Sequence, residues 1–102
     1  MSKTYSEIVA AGVRAAILFT SITCGPCKRL KPRMEALAAQ EGLQLHILDI
    51  SGEMDTVRAL GIRGVPTMVA VGGLAGKPEV LFTGDQADDA IAAKLRAAGV
   101  MG

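Results

Sequence analysis

The chain has 102 residues, half of them apolar and 21% charged, which suffices for one compact domain with one hydrophobic core. We therefore expect residues 1–102 to form a single domain. The 11 basic and 10 acidic residues leave a formal net charge of +1, so the charge balance predicts no general attraction to nucleic acid or to an anionic membrane. Partners must be selected by local surface, and we expect a monomer.

The first residues do not have the pattern of a targeting segment. Only Lys3 precedes Glu7, and the apolar run that follows is broken at Arg14, so neither a signal peptide nor a membrane-spanning helix is expected. The default location is the cytoplasm.

The first predicted elements are a short helix and a buried strand. Residues 5–12 predict the helix, with Ser6 as its cap and Gly12 as its stop. Residues 15–20 (AAILFT) form a nearly continuous apolar run, which is typical of a strand covered on both faces. This strand leads into Cys24 and Cys27.

An amphipathic helix is predicted after the cysteines, ending near Gly42. Apolar residues recur there at helical spacing, opposite a polar face. The apolar set is Cys27, Leu30, Met34, Leu37 and Ala38, and the polar set is Lys28, Arg29, Arg33 and Gln40. Pro32 lies inside the pattern and predicts a kink after the first turn, because proline removes a backbone donor.

Three further strands and two helices complete the chain. The strands are predicted over residues 43–50, 67–71 and 79–83. The last two are joined by a short Gly-rich turn, as in an antiparallel hairpin. Ser51 and Asp85 are the predicted caps of the two helices.

This order of elements predicts the α/β class, with a mixed four-stranded sheet and helices on both faces. Loops that lead from a strand to a helix are where such sheets bind ligands. The two cysteines lie in the first of these loops.

The segment Cys24-Gly25-Pro26-Cys27 is suited to thiol–disulfide exchange. Two thiols at this spacing can close a small ring, so a mixed disulfide on one sulfur can be displaced by the other. A helix that begins at Cys24 favours its thiolate through unpaired N–H groups and the helix dipole, and Lys28 adds positive charge one turn later. We therefore predict that Cys24 is the nucleophile and that Cys27, on the apolar stripe, is the resolving thiol.

Two other interpretations of the cysteine pair are weaker. A tetrahedral zinc site needs four ligands, and the one histidine, His46, lies within a predicted strand, so no metal is expected. An inert disulfide would close a loop of two residues and would restrain the unfolded chain very little. The expected redox group is the Cys24–Cys27 disulfide itself, with no further cofactor.

A second segment, residues 61–67 (GIRGVPT), places Pro66 at the start of a strand. Proline has no N–H for a sheet ladder, so it marks an edge or a bend there. On local grounds alone the Val65–Pro66 bond is expected to be trans, as most such bonds are.

Together these residues resemble the thioredoxin family. The resemblance rests on the CGPC segment followed by Lys28, on Pro32 five residues after the second cysteine, and on GIRGVPT. The order of elements agrees from about residue 15 to the end. The resemblance implies a thioredoxin-like fold and a protein-disulfide reductase that acts through Cys24 and Cys27. It also implies disulfide-containing protein substrates and a flavin-dependent thioredoxin reductase as electron donor.

The resemblance further implies a substrate groove beside the cysteines. It implies a cis Val65–Pro66 bond, with the Val65 backbone available to pair with an extended segment of the substrate. It also implies that Gly84 lies next to the groove. By the same match the contact surface includes Thr23, Gly25, Pro26, Gly64 and Thr83.

The sequence departs from the family pattern at three points. The aromatic residue that usually precedes the first cysteine is Thr23 here, and the chain has no Trp. The family's buried acid, six residues before that cysteine, is Leu18, so proton handling must differ. The residues before the first helix leave no room for a convincing strand, and a short variant with four strands is expected.

Two alternative functions remain open. Asp88 and Asp89, near the start of the last helix, resemble the glutathione-binding acidic pair of glutaredoxins, and glutathione would then be the electron donor. The same pair also suits a helix N-terminus.

The other alternative is a protein-binding module whose cysteines act as a redox-set latch. Its docking face would be the basic run Lys28, Arg29, Lys31 and Arg33. The run has no interleaved aromatic residues, however, so a solvated helix face near the active site is the preferred interpretation.

Overall fold

The computed structural model describes residues 3–102. The elements of this part of the chain are α1 (Tyr5–Ala10), β1 (Ala15–Thr20), α2 (Gly25–Glu41), β2 (Leu45–Asp49), a 3₁₀ turn (Ile50–Gly52), α3 (Met54–Ala59), β3 (Thr67–Val71), β4 (Glu79–Thr83) and α4 (Asp88–Ala97). The predicted alternation of strands and helices is confirmed. None of the helices within residues 3–102 has the length and apolar content that a membrane span requires.

The strands form one mixed sheet in the order β2-β1-β3-β4. Strand β1 is parallel to β2 and antiparallel to β3, and β3 and β4 form the predicted antiparallel hairpin. The four-stranded mixed sheet is therefore confirmed. Its register places Thr20 opposite Asp49 and Phe19 opposite Thr67, so the end of β1 meets the end of β2 and the start of β3. This edge of the sheet carries the candidate site.

Strand β1 separates two hydrophobic cores. Ala16 and Leu18 belong to the core shared with α2 and α4, whereas Ile17 and Phe19 belong to the core shared with α1 and α3. This alternation follows from the two-residue period of a strand, and it confirms that helices cover both faces. Leu18 has no exposed surface, so an apolar side chain fills the position six residues before Cys24.

Helix α2 begins and ends as predicted and runs through Pro32 without interruption. Cys24 is its N-cap. Gly42 is its C-cap, with φ +68°, a left-handed conformation that glycine adopts without steric penalty.

The predicted cap of α1 is wrong. Thr4, not Ser6, begins this helix, because a capping box forms there. The Thr4 hydroxyl accepts a hydrogen bond from the Glu7 N–H at 3.3 Å, and the Glu7 carboxylate accepts from the Thr4 N–H at 2.8 Å. A threonine followed three residues later by glutamate satisfies two free backbone donors at once, which Ser6 cannot do.

The predicted caps of the two later helices are also wrong. Ser51 lies inside the 3₁₀ turn, where its N–H and hydroxyl donate to the Asp49 carboxylate at 2.8 and 2.6 Å. The N-cap of α4 is Ala87, without a side-chain cap. Asp85 accepts a hydrogen bond from Arg33 instead, at 2.7 Å. In each case another side chain engages the predicted cap: the Asp49 carboxylate accepts from Ser51, and the Arg33 guanidinium donates to Asp85.

Candidate active site

The cysteine loop (residues 21–27) runs from the end of β1 into the first turn of α2. Cys24 has extended backbone angles and Gly25 is the first helical residue. Pro26 lies in the first turn, where the N–H that proline lacks has no helical acceptor, so its ring fits without loss of a hydrogen bond. Cys24 and Cys27 are one turn apart and form a disulfide, with 5.3 Å between their Cα atoms.

The two cysteines have different surroundings. Cys24 is half-buried, whereas Cys27 is 3% exposed and lies on the buried face of α2 with Leu30 and Met34. The Cys27 N–H donates a hydrogen bond to the Cys24 sulfur at 3.1 Å. After reduction of the disulfide, such a donor at a helix N-terminus favours negative charge on Cys24. Of the two sulfurs, Cys24 is thus the more accessible one and the one that accepts a hydrogen bond at the helix N-terminus.

A second part of the candidate site, which we call the groove wall (residues 64–66 and 83–84), comes from two segments that are distant in sequence. The Val65–Pro66 bond is cis, so the expectation of a trans bond from local grounds is wrong. The Gly84 N–H donates to the Pro66 carbonyl at 2.8 Å, which joins the end of β4 to the start of β3. The wall lies at the same edge of the sheet as the cysteine loop, because Thr67 pairs with Phe19.

Thr67 supports the groove wall from the buried side and was not among the predicted site residues. It has no exposed surface, and its hydroxyl donates to the Gly64 carbonyl at 2.6 Å. The same hydroxyl lies 2.9 Å from the Thr83 hydroxyl. A polar side chain in an otherwise apolar strand indicates a buried hydrogen bond, because buried hydroxyls need partners. The sequence does not show which residues those partners are.

The backbone conformation at position 84 requires glycine. Its φ is +93°, which other residues rarely adopt, whereas a Cβ at this position would meet nothing within 4 Å. Thr23, Gly25 and Pro26 are exposed on the other side of the site. The side chain of Ile22 was not among the predicted contact residues, yet it is 82% exposed next to Thr23.

Two surface cavities flank these residues. One, of about 180 Å³, is lined by Thr20, Ser21, Ile22, Cys27, Lys28, Lys31 and Asp49. The other, of about 170 Å³, is lined by Ile50, Val57, Ile62, Arg63, Gly64 and Val65. The first cavity brings solvent to the side of Cys27. Its one carboxyl group belongs to Asp49, whose pKa is held below its ordinary value by hydrogen bonds from the Ser51 hydroxyl and then the Ser51 N–H.

Within residues 3–102, no group of three or more His, Cys, Asp or Glu side chains lies close enough together to hold a metal ion. His46 lies in β2, where burial lowers the pKa of its imidazole.

The chain is similar to known thioredoxins in sequence and in structure. Residues 1–97 match the family model described as thioredoxin. The thioredoxin of Borreliella burgdorferi is 35% identical over 72 residues, covering 68% of this chain and 61% of that protein. The bifunctional thioredoxin reductase/thioredoxin of Mycobacterium leprae is 26% identical over 76 residues, covering 72% of this chain and 16% of that protein.

Among solved structures, a mutant thioredoxin from Halobacterium salinarum superimposes with a TM-score of 0.79. It is 28% identical, and the match covers 95% of this chain and 87% of that chain. The matched sequence spans about three fifths of the length of two curated thioredoxins. Since the family model covers nearly the whole chain, this protein belongs to the thioredoxin family.

Proposed function

We propose that this chain is a thiol–disulfide oxidoreductase that reduces protein disulfides through Cys24 and Cys27. The observation that carries the proposal is the unequal burial of two bonded cysteines at the start of one helix: Cys24 is half-buried and Cys27 is 3% exposed. An accessible nucleophile followed by a shielded resolving thiol is the arrangement that two-step disulfide exchange requires.

In the first step the Cys24 thiolate attacks one sulfur of a substrate disulfide. A bond forms between Cys24 and that sulfur, and the other substrate sulfur leaves as a thiolate that takes up a proton. In the second step Cys27 loses its proton and attacks the Cys24 sulfur. The Cys24–Cys27 disulfide forms, the second substrate thiolate leaves, and two electrons have passed to the substrate.

The proton of Cys27 leaves to water in this proposal. Leu18 is buried and carries no group that accepts a proton. The cavity of about 180 Å³ beside Cys27 has polar lining groups and room for several water molecules. Water that enters there takes the proton from the Cys27 thiol before the second step.

The substrate binds along the groove wall as an extended segment. The backbone at Val65 pairs with it in the manner of an added strand, and Pro66 and Gly84 lie beside the sulfur under attack. Thr23, Gly25, Pro26, Gly64 and Thr83 complete this contact surface. Ile22, 82% exposed, supplies an apolar contact in place of the aromatic residue that is missing at Thr23.

A flavin-dependent thioredoxin reductase is the proposed electron donor. The relative in Mycobacterium leprae bears the name of a reductase and a thioredoxin in one protein, which supports this pairing. A glutathione donor is less well supported, because the Asp88 carboxylate is already bound by Arg33. A cytoplasmic monomer is part of the same proposal, since a reducing dithiol needs a compartment that keeps it reduced.

The test is catalysed reduction of a two-chain protein disulfide such as that of insulin, with NADPH and a thioredoxin reductase or with glutathione. We expect turnover with the reductase and none with Cys24→Ser in the same assay. Turnover only with glutathione would favour the glutaredoxin-like alternative. No turnover with either donor would favour a protein-binding module.

A further inference from the structure

We propose that Arg33 is a positioning residue for substrate binding: it ties the helix that carries the dithiol to the connection that carries Gly84. This inference rests on the proposed function and deepens it. Gly84 is part of the groove wall, and the distance from this wall to Cys24 sets which extended segment fits between them.

Arg33 binds two residues of the connection between β4 and α4 and the first residue of α4. Its Nη1 donates to the Asp85 carboxylate at 2.7 Å, and its Nε donates to the Asp88 carboxylate at 2.8 Å. The third nitrogen, Nη2, donates to the Gln86 carbonyl and lies 2.7 Å from Asp88. Every nitrogen of the guanidinium is thus directed at residues 85–88, which comprise the end of the connection from β4 and the first residue of α4.

The contacts of Arg33 differ from those of an ordinary surface ion pair. The side chain of Arg33 is 32% exposed, in contrast to the 69% of Arg58, which pairs with Asp55 within one helix. A planar guanidinium that binds three groups at once fixes direction as well as distance. Lysine at this position could not reproduce the fork. The interpretation of the whole basic run as a solvated face is therefore wrong for Arg33.

The connection is held at a second point by the Gly84 N–H, which donates to the Pro66 carbonyl. Arg33 follows Cys27 by six residues on the same helix, a distance of about 9 Å along the axis. A rigid helix thus joins the dithiol to one anchor of the connection, and the backbone of Pro66 supplies the other. Gly84 itself bonds to Pro66 and directly precedes Asp85, so Arg33 sets the position of Gly84 relative to the cysteines.

Arg96 provides a matched control at the other end of the same two helices. It lies in α4, its guanidinium lies 3.1 Å from Glu41 of α2, and it also donates to the Gly102 carbonyl at 2.9 Å. Loss of Arg96 removes a contact between α4 and α2 of similar kind, but at the end of α2 remote from Cys24.

The experiment compares Arg33→Gln, Arg33→Lys and Arg96→Gln with the unaltered protein. For reduction of a protein disulfide we expect Arg33→Gln to raise KM about fivefold or more with kcat changed less than about twofold, because positioning is lost and the dithiol is intact. Reduction of a small aromatic disulfide, which does not occupy the groove, should keep its rate. The KM of Arg33→Lys for the protein disulfide should lie between those of the unaltered protein and Arg33→Gln. Arg96→Gln should leave the kinetic constants for both substrates unchanged.

Hydrogen exchange of the Gly84 amide gives a readout that does not depend on activity. Arg33→Gln should accelerate this exchange about tenfold, and Arg96→Gln should not, because of these two arginines it is Arg33 that contacts the connection carrying Gly84. An unchanged KM, an equal loss with the small disulfide, or an unchanged Gly84 exchange would overturn the proposal. An unaltered protein that reduces no protein disulfide would instead contradict the proposed function, and the Gly84 exchange would still decide whether Arg33 positions the wall.

Discussion

The cysteine loop and the groove wall reach the same edge of the sheet by different physical routes. The cysteine loop is built from neighbours in sequence: Cys24 caps the helix, Pro26 fits its first turn, and Cys27 follows one turn later. The groove wall joins residues almost twenty positions apart, through the Thr67 hydroxyl and the Gly84 N–H. Local chemistry thus sets the reactive group, whereas tertiary contacts set where the substrate lies.

This difference predicts that substitutions in the two regions will have separable effects. Changes at the cysteine loop should alter the chemical steps with little change in stability. Changes beneath the groove wall should lower the free energy of unfolding and raise KM, while the chemical steps proceed. The substitutions below test this separation.

The largest effect is expected at the cysteines. Cys24→Ser should abolish turnover, because no nucleophile remains for the first step. Cys27→Ser should still attack the substrate and then accumulate as a mixed disulfide, because the second step is blocked. Mass spectrometry of the reaction mixture detects this species. A mixed disulfide that accumulates with Cys24→Ser instead would reverse the assigned roles.

Leu18→Asp should have the second largest effect, on stability. A carboxyl group in this core has no partner, and an isolated buried polar group costs roughly 2–5 kcal/mol of unfolding free energy. Burial raises the pKa of such a carboxyl above its unfolded value. Stability is therefore highest below the unfolded pKa and falls as pH rises through the folded pKa. Urea midpoints measured between pH 4 and 8 test this.

Leu18→Asn is the control for that experiment. It buries a polar group of similar size that does not ionise in this pH range, so its loss of stability should be nearly independent of pH. Equal pH profiles for the two variants would show that Leu18 does not lie in a desolvated core.

Thr67→Val tests the groove wall. The substitution keeps the shape of the side chain but removes the donor to the Gly64 carbonyl and the partner of the Thr83 hydroxyl. We expect a loss of about 1–2 kcal/mol in the free energy of unfolding. KM for a protein disulfide should rise, whereas the rate with a small disulfide should stay the same. Thr83→Val, at an exposed residue, should have the smaller effect, and an equal or larger one would contradict this order.

The smallest effect is expected from Asp85→Asn, on the free energy of unfolding at acidic pH. The hydrogen bond from Arg33 lowers the pKa of the Asp85 carboxyl from its ordinary value of 3.8. A lowered folded pKa means that the stabilisation is present above the unfolded pKa and is lost as pH falls through the folded value. Asp85→Asn should therefore weaken the pH dependence of stability below about pH 4. Asp89→Asn, at an exposed residue in the first turn of α4, should leave that dependence in place, and equal profiles for the two variants would argue against the Arg33 contact.

The sequence by itself determined the alternation of elements, the mixed sheet and the place of the dithiol. These properties depend on short-range patterns: a strand repeats every two residues, a helix every 3.6, and Cys24, Pro26 and Cys27 lie within one helical turn. The residues of the groove wall and the cis Val65–Pro66 bond were expected only from the resemblance to a family, because local preferences at that bond favour trans.

The tertiary structure alone decided which polar side chains bind one another. Asp85 is a good helix cap by residue type, yet Arg33, which is distant in sequence, binds it. Thr67 reaches Gly64 and Thr83 because the hairpin brings the start of β3 beside the end of β4. A hydrogen-bonding side chain has several possible partners of similar energy in sequence, and the packing of the sheet against its helices selects the one within reach.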